Sequence, residues 1–276
     1  MLKKGSITLF FVLSAIIISG CFLFKPETPV IRIKGSDTML ILAQRLAGEY
    51  MRTHPGISVI VSGGGSATGV RALIKGETDI CTASRNLQPD EVKVLAEQYS
   101  AIGMEFLVAK DALSIYINPE NTVRNFTPEQ LKEIFTCRIK NWKELGGDDE
   151  AIVPVIRPAN SGTHFYFKEH ILGGEEYCDS SLIRNTTQDV INEIIRYKNA
   201  IGYGGIAYGT KEIHANVNSI APTEENVRND TYPIIRYLHF YTLNTPRGNT
   251  KEFIDWVLSS DGQEIVEESG YIPLWK

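Results

Sequence analysis

The chain is short of cysteine, methionine and tryptophan, with 4, 4 and 3 of them among 276 residues. Its cysteines never fall at C-x-x-C spacing, and no zinc-type histidine pair appears, which removes the common metal frameworks. Positive charge is not in excess either. With 28 Lys and Arg against 33 Asp and Glu the formal net charge is −5, so a nucleic-acid partner, which needs a basic face, has no support. Beyond the N-terminal segment no run reaches the roughly 18 uninterrupted apolar residues of a membrane-spanning helix. Internal repeats and low-complexity tracts are missing as well. What remains, 43% apolar and 22% charged, is an ordinary globular composition.

The N-terminus is a different matter. Lys3 and Lys4 precede an apolar stretch over 7–18, broken only by Thr8 and Ser14, and Ile18-Ser19-Gly20-Cys21 follows. A positive start, a short apolar core and small residues before a cleavage point define a secretory signal peptide. The cysteine at that point resembles a bacterial lipobox. Residues 1–20 are therefore expected to be removed, Cys21 to carry lipid, and 21–29 to tether a domain to a membrane that it does not span. An uncleaved anchor or a plain signal peptide is the alternative. Of the other cysteines, Cys81 reads as a buried filler of a strand. Cys137 and Cys178 are equally consistent with a disulfide in an exported protein and with free thiols.

The remaining chain alternates strand and helix. Apolar patterning predicts strands over 30–34, 57–61, 78–83, 113–117, 152–156 and 238–243. Helices are expected over 39–51, 67–75, 89–98, 128–135, 162–171, 187–196, 250–258 and 261–268, with a strand or turn through 202–208. This is the pattern of a mostly parallel sheet covered by helices, in which ligands bind outside the carboxyl ends of strands. Four predicted strand ends carry the same chemistry. They are Gly35-Ser36-Asp37-Thr38, the glycine run Gly63-Gly64-Gly65 with Ser66, Ser84-Arg85, and Arg157 with Ser161-Gly162-Thr163. Hydroxyls and side-chain-free backbone at helix starts, with only the guanidiniums of Arg85 and Arg157, hold a small oxyanion by dipoles more than by net charge.

Taken in order, KGSDTM, SGGGSATGV, TDICTASR, RPANSGTHFYF, IGYGGIAY and SGYIPL resemble the substrate-binding lipoproteins of bacterial ABC phosphate transporters. The resemblance covers nearly the whole mature chain. It implies an α/β, type II periplasmic-binding-protein fold, in which two α/β lobes joined by crossover strands close on a ligand in the cleft. Lobe 1 would comprise 30–112 and 240–276, and lobe 2 113–239. The implied ligand is inorganic phosphate, the implied partner a membrane-embedded ABC phosphate permease, and the implied state a monomer with no cofactor and no metal. Ser66, Arg157, Ser161, Gly162 and Thr163 match the family's phosphate donors, and Asp37, Thr38, Ser84 and Arg85 complete the expected site.

Two departures bear on selectivity. One family branch has Thr-Phe where this chain has Asp37-Thr38, and an aspartate where it has Ser84-Arg85. That aspartate accepts a hydrogen bond from protonated phosphate. Asp37 is expected to take over the role, with Arg85 balancing its charge. An ionised carboxylate only accepts, so it pairs with a P–O–H and repels sulfate, which has none. The other role open to Asp37 is capping the helix that follows. Asp79 reads as structural, Arg71 as a surface residue, and Thr68 as a weak further candidate. A hydrolase is disfavoured, because Gly64-Gly65-Ser66-Ala67-Thr68 lacks the final glycine of a nucleophile elbow and His164 falls on a helix face. A sensor, an adhesin, or a binder of sulfate or molybdate on the same fold remains an alternative.

Overall fold

A computed structural model describes residues 28–275. The signal segment, Cys21 and most of the expected tether lie outside the described residues. Strand β1 (Val30–Gly35) leads into helix α1 (Leu40–Thr53), whose buried face is built by Leu42, Leu46 and Tyr50 at helical spacing. β2 (Ser58–Ser62), α2 (Ser66–Ile74), β3 (Ile80–Ala83) and α3 (Pro89–Tyr99) follow. The long β4 (Met104–Ile117) crosses to the second half of the molecule. There lie β5 (Asn125–Phe126), α4 (Pro128–Phe135), β6 (Val153–Ile156), α5 (Gly162–His170) and β7 (Leu182–Ile183). They are followed by α6 (Thr187–Arg196), β8 (Ala200–Gly205), β9 (His214–Val217) and α7 (Glu224–Arg228). β10 (Ile235–Thr242) returns to the first half, which α8 (Gly248–Val257) and α9 (Ser260–Glu268) complete.

The strands run in the order β2-β1-β3-β10-β4-β8-β6-β7. Lobe 1 contributes the parallel set β2-β1-β3 and lobe 2 the parallel set β8-β6-β7. Between them β10 and β4 pair antiparallel with each other and with their outer neighbours. The expected mostly parallel sheet is thus corrected to a mixed one, because both connections between lobes are central strands. β4 pairs with β10 as far as Ala112 and with β8 from Leu113 onward.

Sequence patterning placed a strand only over 113–117, since Lys110 and Asp111 interrupt the apolar run. The strand nevertheless runs from Met104, paired along β10 as far as Thr242, and its two central charges are met by Arg236 opposite Asp111 and by Asp230 at Lys110. Each lobe has its own core. Lobe 1 packs Leu42, Leu46, Ile33 and Ile80 with Phe253 and Val266, and lobe 2 packs Ile115, Leu131, Phe135, Phe167 and Tyr203. In lobe 2 the Phe167 ring of α5 stacks on Tyr203 at 4.1 Å, which fixes the helix that starts at the site.

Cys137 and Cys178 form a disulfide, with Cα atoms 5.4 Å apart, which closes the question left open by sequence. It ties the end of α4 to the segment before β7 and stays within lobe 2. Cys81 is fully buried, as expected of a filler, and burial pushes its thiol pKa far up.

Candidate functional site

The two lobes meet where the sequence concentrated small polar residues. On the lobe 1 side the chain turns sharply after β1, with Met39 N–H donating to Ser36 O and Leu40 N–H to Asp37 O. Met39 occupies the cap position of α1 without any side-chain cap bond, so Asp37 does not cap that helix. Its carboxylate points into the cleft instead. Oδ1 accepts from Gly64 N–H at 2.9 Å and Oδ2 from Arg157 Nη2 at 2.8 Å. Asp37 therefore joins the glycine run of its own lobe to the arginine of the other.

Arg157, at the end of β6, is 1% exposed. Besides Asp37, it donates through Nη1 to Thr187 Oγ1 and through Nη2 to Asn185 O, at 2.9 and 2.8 Å. Its Nε is buried without a hydrogen-bond partner among the described residues. Burial pushes its pKa down, and the Asp37 carboxylate pulls it back up. A guanidinium stays charged under either influence.

The helix start that follows approaches lobe 1 closely. A Cβ on Gly162 would lie 2.2 Å from Ser66 Oγ and 2.7 Å from Ser84 Oγ, so only glycine brings these three together. Ser66 Oγ accepts from Ser84 N–H at 3.2 Å, and Ser84 Oγ is buried with no partner among the described residues. Ser161 caps α5 by accepting from His164 N–H at 3.4 Å, which leaves its hydroxyl proton for another acceptor. Gly162 and Thr163, at the first positions of α5, have no intrahelical partners for their N–H groups. Thr163 Oγ1 lies 2.8 Å from Thr38 Oγ1 across the cleft. The structure thus brings Asp37, Thr38, Ser66, Ser84, Arg157, Ser161, Gly162 and Thr163 to one place.

Arg85 is not among them in the expected way. Its guanidinium donates twice to Glu91, at 2.7 and 2.8 Å, and once to Asn86 O, and it lies over the Phe165 ring at 5.4 Å. Glu91 sits in the first turn of α3, within reach of the strand end, and captures it. The counter-charge expected of Arg85 for Asp37 comes from Arg157. Asp79 is structural, bonded to the backbone N–H and guanidinium of Arg32. Arg71 is exposed and donates to Thr68 Oγ1 at 3.1 Å. His164 is a packed residue, with Nδ1 against Arg157 O at 2.6 Å and its ring 4.4 Å from that of Tyr177.

Sequence reasoning missed the layer beneath. Arg236 and Asp111 are 3% and 0% exposed and paired, Nε to Oδ2, at 2.9 Å; Arg236 Nη1 also donates to Thr163 Oγ1 at 3.0 Å. Burial pushes the Asp111 carboxyl up, and the Arg236 charge opposes that shift. Tyr208 donates to the carbonyls of Asp37 and Thr38, and Tyr271 to that of Thr38, which fixes the turn after β1. These tyrosines end the IGYGGIAY motif and open the closing YIPL. The available signal was charge inside otherwise apolar strands, Asp111 beside Lys110 in β4 and Arg236 in β10.

In charge the site is balanced, one guanidinium against one carboxylate in each layer. Any further anion is met by hydroxyls and helix-start N–H groups. Shut two-lobed clefts of this construction define a class of solute-binding proteins, and the chain belongs to it: the PBP superfamily domain model matches residues 25–261. Within that class the chain belongs to the family of phosphate-binding proteins named PstS. It is 34% identical to the Bacillus subtilis PstS over 250 residues, covering 88% of this chain and 80% of that protein. The Pseudomonas aeruginosa PstS is 30% identical, at 87% and 81% coverage. Among solved structures, a substrate-binding protein assigned to a phosphate ABC transporter of Clostridium perfringens, with bound phosphate, superposes at a TM-score of 0.82. It is 30% identical over 89% of this chain and 100% of that one. An ABC-type phosphate transport receptor from Vibrio cholerae gives 0.73 and 31%, over 88% and 99%.

Proposed function

We propose that this chain captures inorganic phosphate outside the cytoplasm and delivers it to a membrane-embedded ABC permease, acting as a monomer and without catalysis. The observation that carries the reading is the Arg157–Asp37 contact across the lobes, framed by the hydroxyls of Thr38, Ser66, Ser84, Ser161 and Thr163. An oxyanion held here takes over bonds that these donors otherwise make with one another. The guanidinium supplies a fork of donors to its oxygens, and Gly162 and Thr163 supply backbone N–H groups. With the lobe edges we expect at 112/113 and 239/240, the hinge would fall on β4 and β10.

Asp37 selects the ligand. Each of its oxygens keeps a lone pair beyond the bond already made, so the carboxylate can accept from a P–O–H. Sulfate offers no proton and leaves the carboxylate facing an anion. Calorimetric titration with phosphate, sulfate and molybdate tests the whole reading, and phosphate is expected to bind at micromolar concentration or below. In Asp37→Asn the preference for phosphate over sulfate should fall by about tenfold or more. An unchanged preference would assign selectivity elsewhere, and absence of phosphate binding to the wild type would refute the function.

Attachment to the membrane rests on the Ile18-Ser19-Gly20-Cys21 motif. We expect the mature protein to begin at Cys21 and to carry acyl chains there. Mass spectrometry of the exported protein decides this, and an unmodified or differently placed N-terminus would overturn it.

A further inference from the structure

The glycine run after β2 has an occupant of its own. Gly65 adopts φ +91°, and a Cβ there would lie 2.5 Å from the carbonyl oxygen of Asn160, a lobe 2 residue. Asn160 meets this turn in two further ways. Its Nδ2 donates to Gly64 O at 2.9 Å, and its own carbonyl accepts from Ala67 N–H at 3.2 Å. The surface that Gly64 and Ala67 offer is one acceptor beside one donor. That matches a backbone carbonyl and an amide side chain rather than an anion, which the Gly64 carbonyl repels. Gly63 is different, since the site of its missing side chain is filled by Asp37 Oδ1 at 2.5 Å. The run therefore serves two side chains, Asp37 from its own lobe and Asn160 from the other.

We propose that Asn160 is a closure clasp: a positioning residue that holds lobe 2 shut on the Gly64–Ala67 turn without touching the ligand, and so sets how long the ligand stays. Both of its hydrogen bonds span the lobes, so they exist only when the cleft is closed. Interactions made in one of two states raise the population of that state, and apparent affinity follows the closed fraction. The clasp lies three residues from Arg157 and one from Ser161, on the segment that carries the lobe 2 donors. Closing the clasp and presenting those donors are one movement.

The proposal takes phosphate as the ligand and in that respect rests on the function proposed above. It is tested with Asn160→Ala, which keeps the backbone bond and removes the side-chain one, and with Asn160→Asp, which sets a carboxylate against the Gly64 carbonyl. Stopped-flow measurement should show phosphate leaving Asn160→Ala about three- to tenfold faster, in keeping with one lost hydrogen bond. Asn160→Asp should lose it faster still. Association rates and the phosphate-to-sulfate preference should stay as in the wild type. In the ligand-free protein, fluorophores on the two lobes should report a longer mean separation in both variants. A folded Gly65→Ala protein, checked by circular dichroism, should remain open and hold phosphate poorly. Unchanged dissociation together with unchanged lobe separation would overturn the clasp, and an altered phosphate-to-sulfate preference would do so too, by placing Asn160 on the ligand. The lobe separation needs no ligand, so it distinguishes failure of the clasp from failure of the phosphate reading.

Discussion

Arg157→Ala should weaken phosphate binding by two to three orders of magnitude, roughly what truncating one partner of a buried, hydrogen-bonded charge pair costs. Three roles end at once in this variant. The anion loses the guanidinium that bridges the lobes through Asp37, Asp37 loses its partner across the cleft, and Thr187 and Asn185 lose the group that ties them to the site. An uncompensated Asp37 then faces the anion with its charge unopposed. Arg157→Lys should fall between, because an ammonium on a flexible stem cannot reach Asp37, Thr187 and Asn185 together with the fixed geometry of a planar fork. Titration calorimetry reads the affinities, with circular dichroism to confirm folding. Binding of Arg157→Ala within a factor of about ten of the wild type would place the anion elsewhere.

Arg236→Ala has its largest effect on the fold. Asp111 is 0% exposed, and removing its guanidinium leaves an unpaired carboxylate inside the crossover strands. We expect a loss of about 3–5 kcal/mol in denaturant unfolding, the usual cost of breaking one side of a buried pair. The double variant Asp111→Leu with Arg236→Met removes both charges and should recover most of that stability. Phosphate affinity should not recover with it, since Thr163 Oγ1 still lacks the Arg236 donor. A double variant as unstable as the single one would show that packing around the arginine, and not the orphaned charge, carries the effect.

Much of this architecture was legible in the sequence, for identifiable reasons. Helix α6 falls on the expected 187–196 because Thr186 and Asp189 form a capping box ahead of the buried Val190, Ile191 and Ile194. The donor segments were legible because small polar residues and glycine at strand ends have few roles other than tight turns and close approach. Lobe-to-lobe contacts were not. Asp37 meets Arg157 and Asp111 meets Arg236 across 120 and 125 residues of chain, and no local pattern encodes which charge finds which. Arg85 shows the same limit from the other side. Its place at a strand end was correctly informative, yet Glu91, six residues on, offered a nearer carboxylate than Asp37.

The paired crossover of β4 and β10 bears on how reliably the site reassembles. A single connecting strand would let one lobe swivel, slide and tilt. Two strands paired side by side from Ile235–Ala112 to Thr242–Met104, with one register shift between Leu238 and His239, form a ribbon, which flexes across its face but resists shear within its plane. In the clamp reading proposed above, lobe motion on such a ribbon is expected to keep to nearly one degree of freedom, so that Thr38 would return opposite Thr163 along one arc. The accuracy of a contact between two hydroxyls is set by the stiffness of a ribbon in the strands that carry both lobes.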